Sequence, residues 1–207
     1  MASIRDAISG IKWMIDTISQ AGRFTGYRTD GSVVPEFAVR KYYRASVAAS
    51  FVAPAGTAPF FAMQGSSNRV VRIIGIKVNG MTITVSAYAS IFMQKRSTAI
   101  TGGTSTDLIQ VPNDSADAAG TLNLCKVYTV APTPGSLVGS VDSKRFLVAD
   151  TTPTDLPAPD IEFKFDTDHE DGIILRGVSE GITLSFSTAP ATGVTMDVSV
   201  VWSESDI

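Results

Sequence analysis

The sequence predicts a mainly β protein: an antiparallel β-sandwich or jelly roll with a short N-terminal α-helix and an extended arm. Three observations carry this. From Arg69 onward the apolar residues recur with a period of two. Clusters of Gly, Pro, Thr and Asn punctuate these runs at short intervals. No long helical pattern interrupts them, and about eight candidate strands result. The expected division is a helix and arm over residues 1–68 and a sandwich over 69–207.

Composition narrows the class. The 207 residues suffice to bury about 70% of the surface of the unfolded chain, so the core needs no covalent staples. Charged residues are only 18% and mean hydropathy is +0.17. This excludes an intrinsically disordered chain and fits one that hides surface against partners. One cysteine, Cys125, excludes an intramolecular disulfide. One histidine, His169, excludes a multi-histidine metal site and leaves a Ser-His-Asp triad a single candidate. No apolar run reaches the ~20 residues of a membrane span. Arg5, Asp6, Lys12 and Asp16 interrupt the stretch that a signal peptide keeps apolar, so assembly in a cytoplasm is expected.

The first element is residues 3–20. Ser3 fits an N-cap, with Asp6 three residues on. Ile4, Ile8, Ile11, Ile15 and Ile18 are spaced 4, 3, 4, 3, the a/d spacing of a heptad. Gly22 supplies a stop. Isoleucine at both a and d favours three strands over two, so these residues are the expected oligomerisation seam of a homotrimer. A helix packed on its own domain and one docked in another protein's groove share the pattern.

Residues 21–68 carry Gly22, Gly26, Gly31, Pro35, Pro54, Gly56 and Pro59, which break long elements. Asp30-Gly31 marks a small hairpin turn. Arg40-Lys41-Tyr42-Tyr43-Arg44 is a basic-aromatic run. Such a run can hold nucleic acid, but a strand with alternating exposed charges accounts for one short run better. Ala48 to Ala62 reads as an extended arm or linker on a neighbour.

In the body, Arg69 to Asn79-Gly80 reads as a strand ending in the strongest short hairpin signal. Met81 to Tyr88 is its expected partner, continuing through Met93. Further strands are expected at Leu122–Val130, Ser136–Val141, Lys144–Val148, Ile161–Phe165, Ile173–Leu175, Ile182–Ser187 and Val194–Trp202. In the last, Val194, Met196, Val198, Val200 and Trp202 share one face. Such alternation argues against a parallel sheet buried on both sides.

The net charge of −3 conceals a split. Residues 1–100 hold 12 Lys/Arg and 4 Asp/Glu, which is +8; residues 101–207 hold 5 and 16, which is −11. Two faces with different partners are the expectation. Asp166, Asp168, Glu170 and Asp171 form an acidic loop whose alternate carboxylates suit a hard cation, although it fails the EF-hand pattern at its sixth and twelfth positions. It reads best as a solvated turn. Cys125, mid-strand, reads as a small buried hydrophobe. There is no nucleophile elbow, P-loop or dinucleotide fingerprint, so no catalytic, cofactor or metal residue is assigned and no enzyme is expected.

Several motifs resemble, in order, a known family. They are Lys95-Arg96-Ser97-Thr98 with Thr101-Gly102-Gly103-Thr104-Ser105-Thr106; Val111-Pro112-Asn113-Asp114-Ser115; and Val127-Tyr128-Thr129 with Pro132-Thr133-Pro134-Gly135. Ile173-Ile174-Leu175-Arg176-Gly177 and Val200-Val201-Trp202-Ser203-Glu204 complete the set. Over residues 69–204 the set is similar to the β-rich structural proteins of tailed-bacteriophage virions. The resemblance implies a capsid decoration or cement protein that binds the major capsid protein or other virion subunits, located in the virion. It also admits a tail, neck or head-fibre component. A carbohydrate- or receptor-binding sandwich is the alternative from another class. Neither membrane nor direct nucleic-acid binding is expected.

Overall fold

The computed structural model describes residues 3–5, 12–15, 24–27, 41–83, 85–148, 159–165, 172–188 and 193–206. The chain divides into two units, Met1–Arg40 and Lys41–Ile207.

In the first unit, β1 (Ser3–Arg5), β2 (Lys12–Ile15) and β3 (Phe24–Tyr27) form an antiparallel sheet in that order. Within the expected helix over residues 3–20, the described residues, 3–5 and 12–15, are strands and show no helix. Isoleucine is β-branched, which restricts χ1 in a helix and suits extended backbone, and Gly10 lowers helix propensity further. Ile4 stands in β1 and Ile15 in β2. Ile8, Ile11 and Ile18 lie outside the described residues, as does Asp30-Gly31.

The second unit contains β4 (Lys41–Ser46), β5 (Phe51–Val52), β6 (Pro59–Gln64), β7 (Arg69–Thr82), β8 (Ala87–Arg96), β9 (Thr104–Asp107) and β10 (Gln110–Pro112). It continues with β11 (Cys125–Val130), β12 (Leu137–Val148), β13 (Ile161–Lys164), β14 (Ile173–Arg176), β15 (Gly181–Phe186) and β16 (Thr195–Asp206). They make two antiparallel sheets. The first runs β10-β4-β16-β7-β13, with β14 also on β7 and β5 also on β16; the second runs β12-β8-β15-β6-β11-β9. One hydrophobic cluster draws on both, with Tyr43, Ile76, Val198 and Trp202 from the first and Phe61, Met63, Met93 and Leu184 from the second.

Three expectations change here. First, the body begins at Lys41, not Arg69. Residues 59–64 are not an arm, since Phe60, Phe61 and Met63 in β6 are all fully buried. A strand buried on both faces shows a continuous apolar run and no alternation, which hid it; Pro59 sits at its first residue, where proline is tolerated.

Second, Asn79-Gly80 makes no hairpin. β7 runs through it, and the pairing with β16 shifts between Thr195 opposite Thr82 and Asp197 opposite Asn79. The extra residue is a bulge, taken up by Gly80 at φ +62°. Third, the two strands expected between Ser136 and Val148 are one, β12, whose two register shifts against β8 absorb the polar interruption.

The remaining expected strands appear as β11 and β13 to β16. The alternation in β16 holds, with Val194, Met196, Val198, Val200 and Trp202 all buried.

Candidate functional site

The inward face of β16 carries one more residue. Glu204 follows Trp202 by two, so the pleat turns it into the interior, where it is 2% exposed. An isolated carboxylate there would cost several kcal/mol, and this one is surrounded by donors. Arg69 Nη1 lies 3.0 Å from Oε2. Trp202 Nε1 donates to Oε1 at 3.0 Å. Thr121 donates twice: its N–H is 3.1 Å from both oxygens, and its hydroxyl is 2.9 Å from Oε2. The hydrogen bond to Glu204 raises the pKa of Arg69 above its ordinary value. Burial, then the charge of Glu204, raises that of Tyr43.

The carboxylate thereby fastens the segment between β10 and β11 to the first sheet. The Tyr43 hydroxyl donates to the Ala118 carbonyl at 3.1 Å, and its ring stacks on Trp202 at 5.7 Å. Gln110 Nε2 donates to the Gly120 carbonyl at 2.7 Å. A Cβ at Gly120 would lie 2.8 Å from Glu204 Oε1, so only glycine permits this approach. With four donors on two oxygens the acceptor capacity of Glu204 is nearly filled, and the arrangement is a clasp. The signal for it was the parity of β16, which continues two residues past Trp202.

The basic-aromatic run separates as alternation requires. Tyr43 points inward; Tyr42 and Arg44 are exposed on the other face, where Arg44 Nε donates to Asn113 Oδ1 at 3.1 Å. Cys125 is buried, and burial raises its thiol pKa. His169 and the acidic loop at 166–171 lie outside the described residues. Among the described residues no three His, Cys, Asp or Glu side chains come together as metal ligands would. No helix among them is long and apolar enough to cross a membrane.

Among the described residues the charge split does not sort into two faces. Ion pairs join the basic first half to the acidic second: Lys41–Asp117 (3.9 Å), Arg69–Glu204 (3.0 Å), Arg69–Asp206 (3.9 Å), Lys77–Asp160 (2.9 Å) and Lys95–Glu180 (3.6 Å). Antiparallel pairing of early strands with late ones interleaves the halves, which sequence arithmetic cannot see.

Two of the motifs meet at one joint. Thr101 and Thr133 bridge through their backbones, Ser136 N–H donates to Thr98 Oγ1 at 2.7 Å, and Arg96 Nη1 donates to the Gly135 carbonyl at 3.1 Å. Arg96 is 8% exposed and Thr183 accepts from its Nε at 3.3 Å, so these residues serve the fold.

The surface differs where the chain crosses between sheets from β9 to β10. Ile109 is 81% exposed and Val111 58%. Ile109 borders two cavities: one of about 220 Å3 with Arg44, Val111 and Val201, and one of about 360 Å3 with Val47, Phe51, Asp107 and Val127. No family model matches the chain, and searches of curated proteins and of solved structures find no match either.

Proposed function

We propose that this protein is a non-enzymatic virion structural subunit, a decoration or cement protein that binds and stabilises a phage head. The body is then an eight-stranded jelly roll. The observation that carries this is strand order: β4-β16-β7 with β13/β14 in one sheet, and β6-β15-β8-β12 in the other. Chain order alternates between the sheets through β4, β6, β7 and β8, then returns through β12, β13/β14, β15 and β16, the double Greek key of a jelly roll. Strands β9 to β11 are an insertion that widens both sheets along one side.

Jelly rolls serve viral capsids, lectins and cupins. A cupin centre built from several histidines is closed to a chain with one. A lectin needs free aromatic faces. Tyr42 and Tyr88 are the exposed aromatics among the described residues, and the Arg145 guanidinium sits 5.1 Å over the Tyr88 ring. The virion reading stands on the remaining class together with the motif resemblance. The shell partner is the major capsid protein or another virion subunit, and many weak contacts repeated around a shell act through avidity. A homotrimer belongs to the same proposal.

The test is to heat phage shells that lack the protein, with and without the purified protein added back. Binding with a raised disassembly temperature is the expected result. Absence of binding, or binding to a glycan array in its place, overturns it.

A further inference from the structure

The strand crossing at Asp107 to Val111 carries a second inference, independent of the shell-binding reading. Asp107 stands two residues before Ile109. Val111, directly opposite Arg44, stands two residues after it. Ile109 borders one cavity lined by Arg44 and another lined by Asp107, so an exposed cation and an exposed anion stand beside the exposed Ile109. Asp107 is exposed although it lies 3.3 Å from Lys126.

An apolar knob between opposite charges is self-complementary: a two-fold axis through the knob, across the line of charges, sets each cation against the other copy's anion. We infer that this patch binds a second copy of this chain, with Ile109 against Ile109 and Arg44 of each copy facing Asp107 of the other. The cavities beside Ile109 give the paired side chains room to settle. The patch is small, so the isolated contact is weak and concentration-dependent.

Sedimentation equilibrium of the full chain over a range of concentrations tests this. The expected result is a two-fold step in mass whose affinity falls about tenfold or more in Ile109→Glu. Arg44→Glu and Asp107→Arg should each weaken it, and the double variant should restore it, because the swap rebuilds both cross-copy pairs. Ile109 is exposed, so unchanged thermal unfolding of Ile109→Glu verifies its fold. A mass that shows no two-fold step, or no rescue by the double variant, overturns the inference. A three-copy mass indifferent to Ile109→Glu also overturns it while leaving the trimer standing. Loss of shell binding with the two-fold step intact supports it and removes only the decoration reading.

Discussion

Trp202 Nε1 donates to Glu204 Oε1 at 3.0 Å, so two successive inward residues of β16 satisfy one another in the interior. The indole would otherwise bury an unpaired donor, and the carboxylate an unpaired charge. Breaking such a pair strands the surviving partners. Glu204→Ala is expected to destabilise by about 3–5 kcal/mol, which in a chain of this size lowers Tm by roughly 6–20 °C. Glu204→Gln keeps the shape but swaps an acceptor for a donor, and falls between the two. Thermal unfolding followed by circular dichroism decides the matter; a drop below about 2 °C for Glu204→Ala would end the clasp role.

Phe61 tests where the body begins. It is fully buried in β6. Phe61→Ala is expected to cost about 3–5 kcal/mol in the purified protein. If residues 59–64 were an arm that orders only on a neighbour, the isolated variant would unfold in urea at the wild-type midpoint.

Gly135 and Gly139 form a matched pair. A Cβ on Gly135 would run into the Thr98 carbonyl, whereas one on Gly139 meets open space. Gly135→Ala is expected to destabilise by about 1–3 kcal/mol and Gly139→Ala to fall within about 0.5 kcal/mol of wild type. Equal effects in denaturant melts would contradict the tight joint between the two loops.

Three buried weak acids bear on stability at alkaline pH. Burial comes first in raising the pKa of Tyr43, Tyr128 and Cys125 above their ordinary values, 10.0 for tyrosine and 9.0 for cysteine. A group whose folded pKa is raised contributes stability that is complete below its unfolded pKa and is lost as pH climbs past it. Stability should hold at neutral pH and decline from about pH 9 upward. Tyr43→Phe should make that decline shallower, while costing about 1 kcal/mol at neutral pH for the lost bond to Ala118. Urea midpoints across alkaline pH give both numbers; an identical slope in wild type and variant would refute the assignment.

The legible parts of the fold are those with one wet and one dry face. β16 declared its inward residues through strict alternation, and Cys125 its burial through its neighbours. β6 stayed hidden because a strand buried on both sides has no period to detect. Asn79-Gly80 misled for another reason: glycine at φ +62° serves a bulge as well as a hairpin turn, and only the partner strand decides which. Glu204 could have been found by carrying the parity of β16 two residues further. Its partners Arg69 and Thr121 lie 135 and 83 residues away, and no local pattern announces them.

The central place of β16 has a consequence for biosynthesis. It lies between β4 and β7 and also pairs with β5, yet the ribosome makes it after all three. Until it emerges, β4 and β7 have no common neighbour, and the carboxylate that receives Arg69 and Thr121 does not exist. Contacts of such sequence separation form slowly. The nascent chain therefore keeps its first sheet open until β16 has been made, and the finished surface of this body exists only after that. Any partner that reads this surface therefore meets a completed fold, never a growing one.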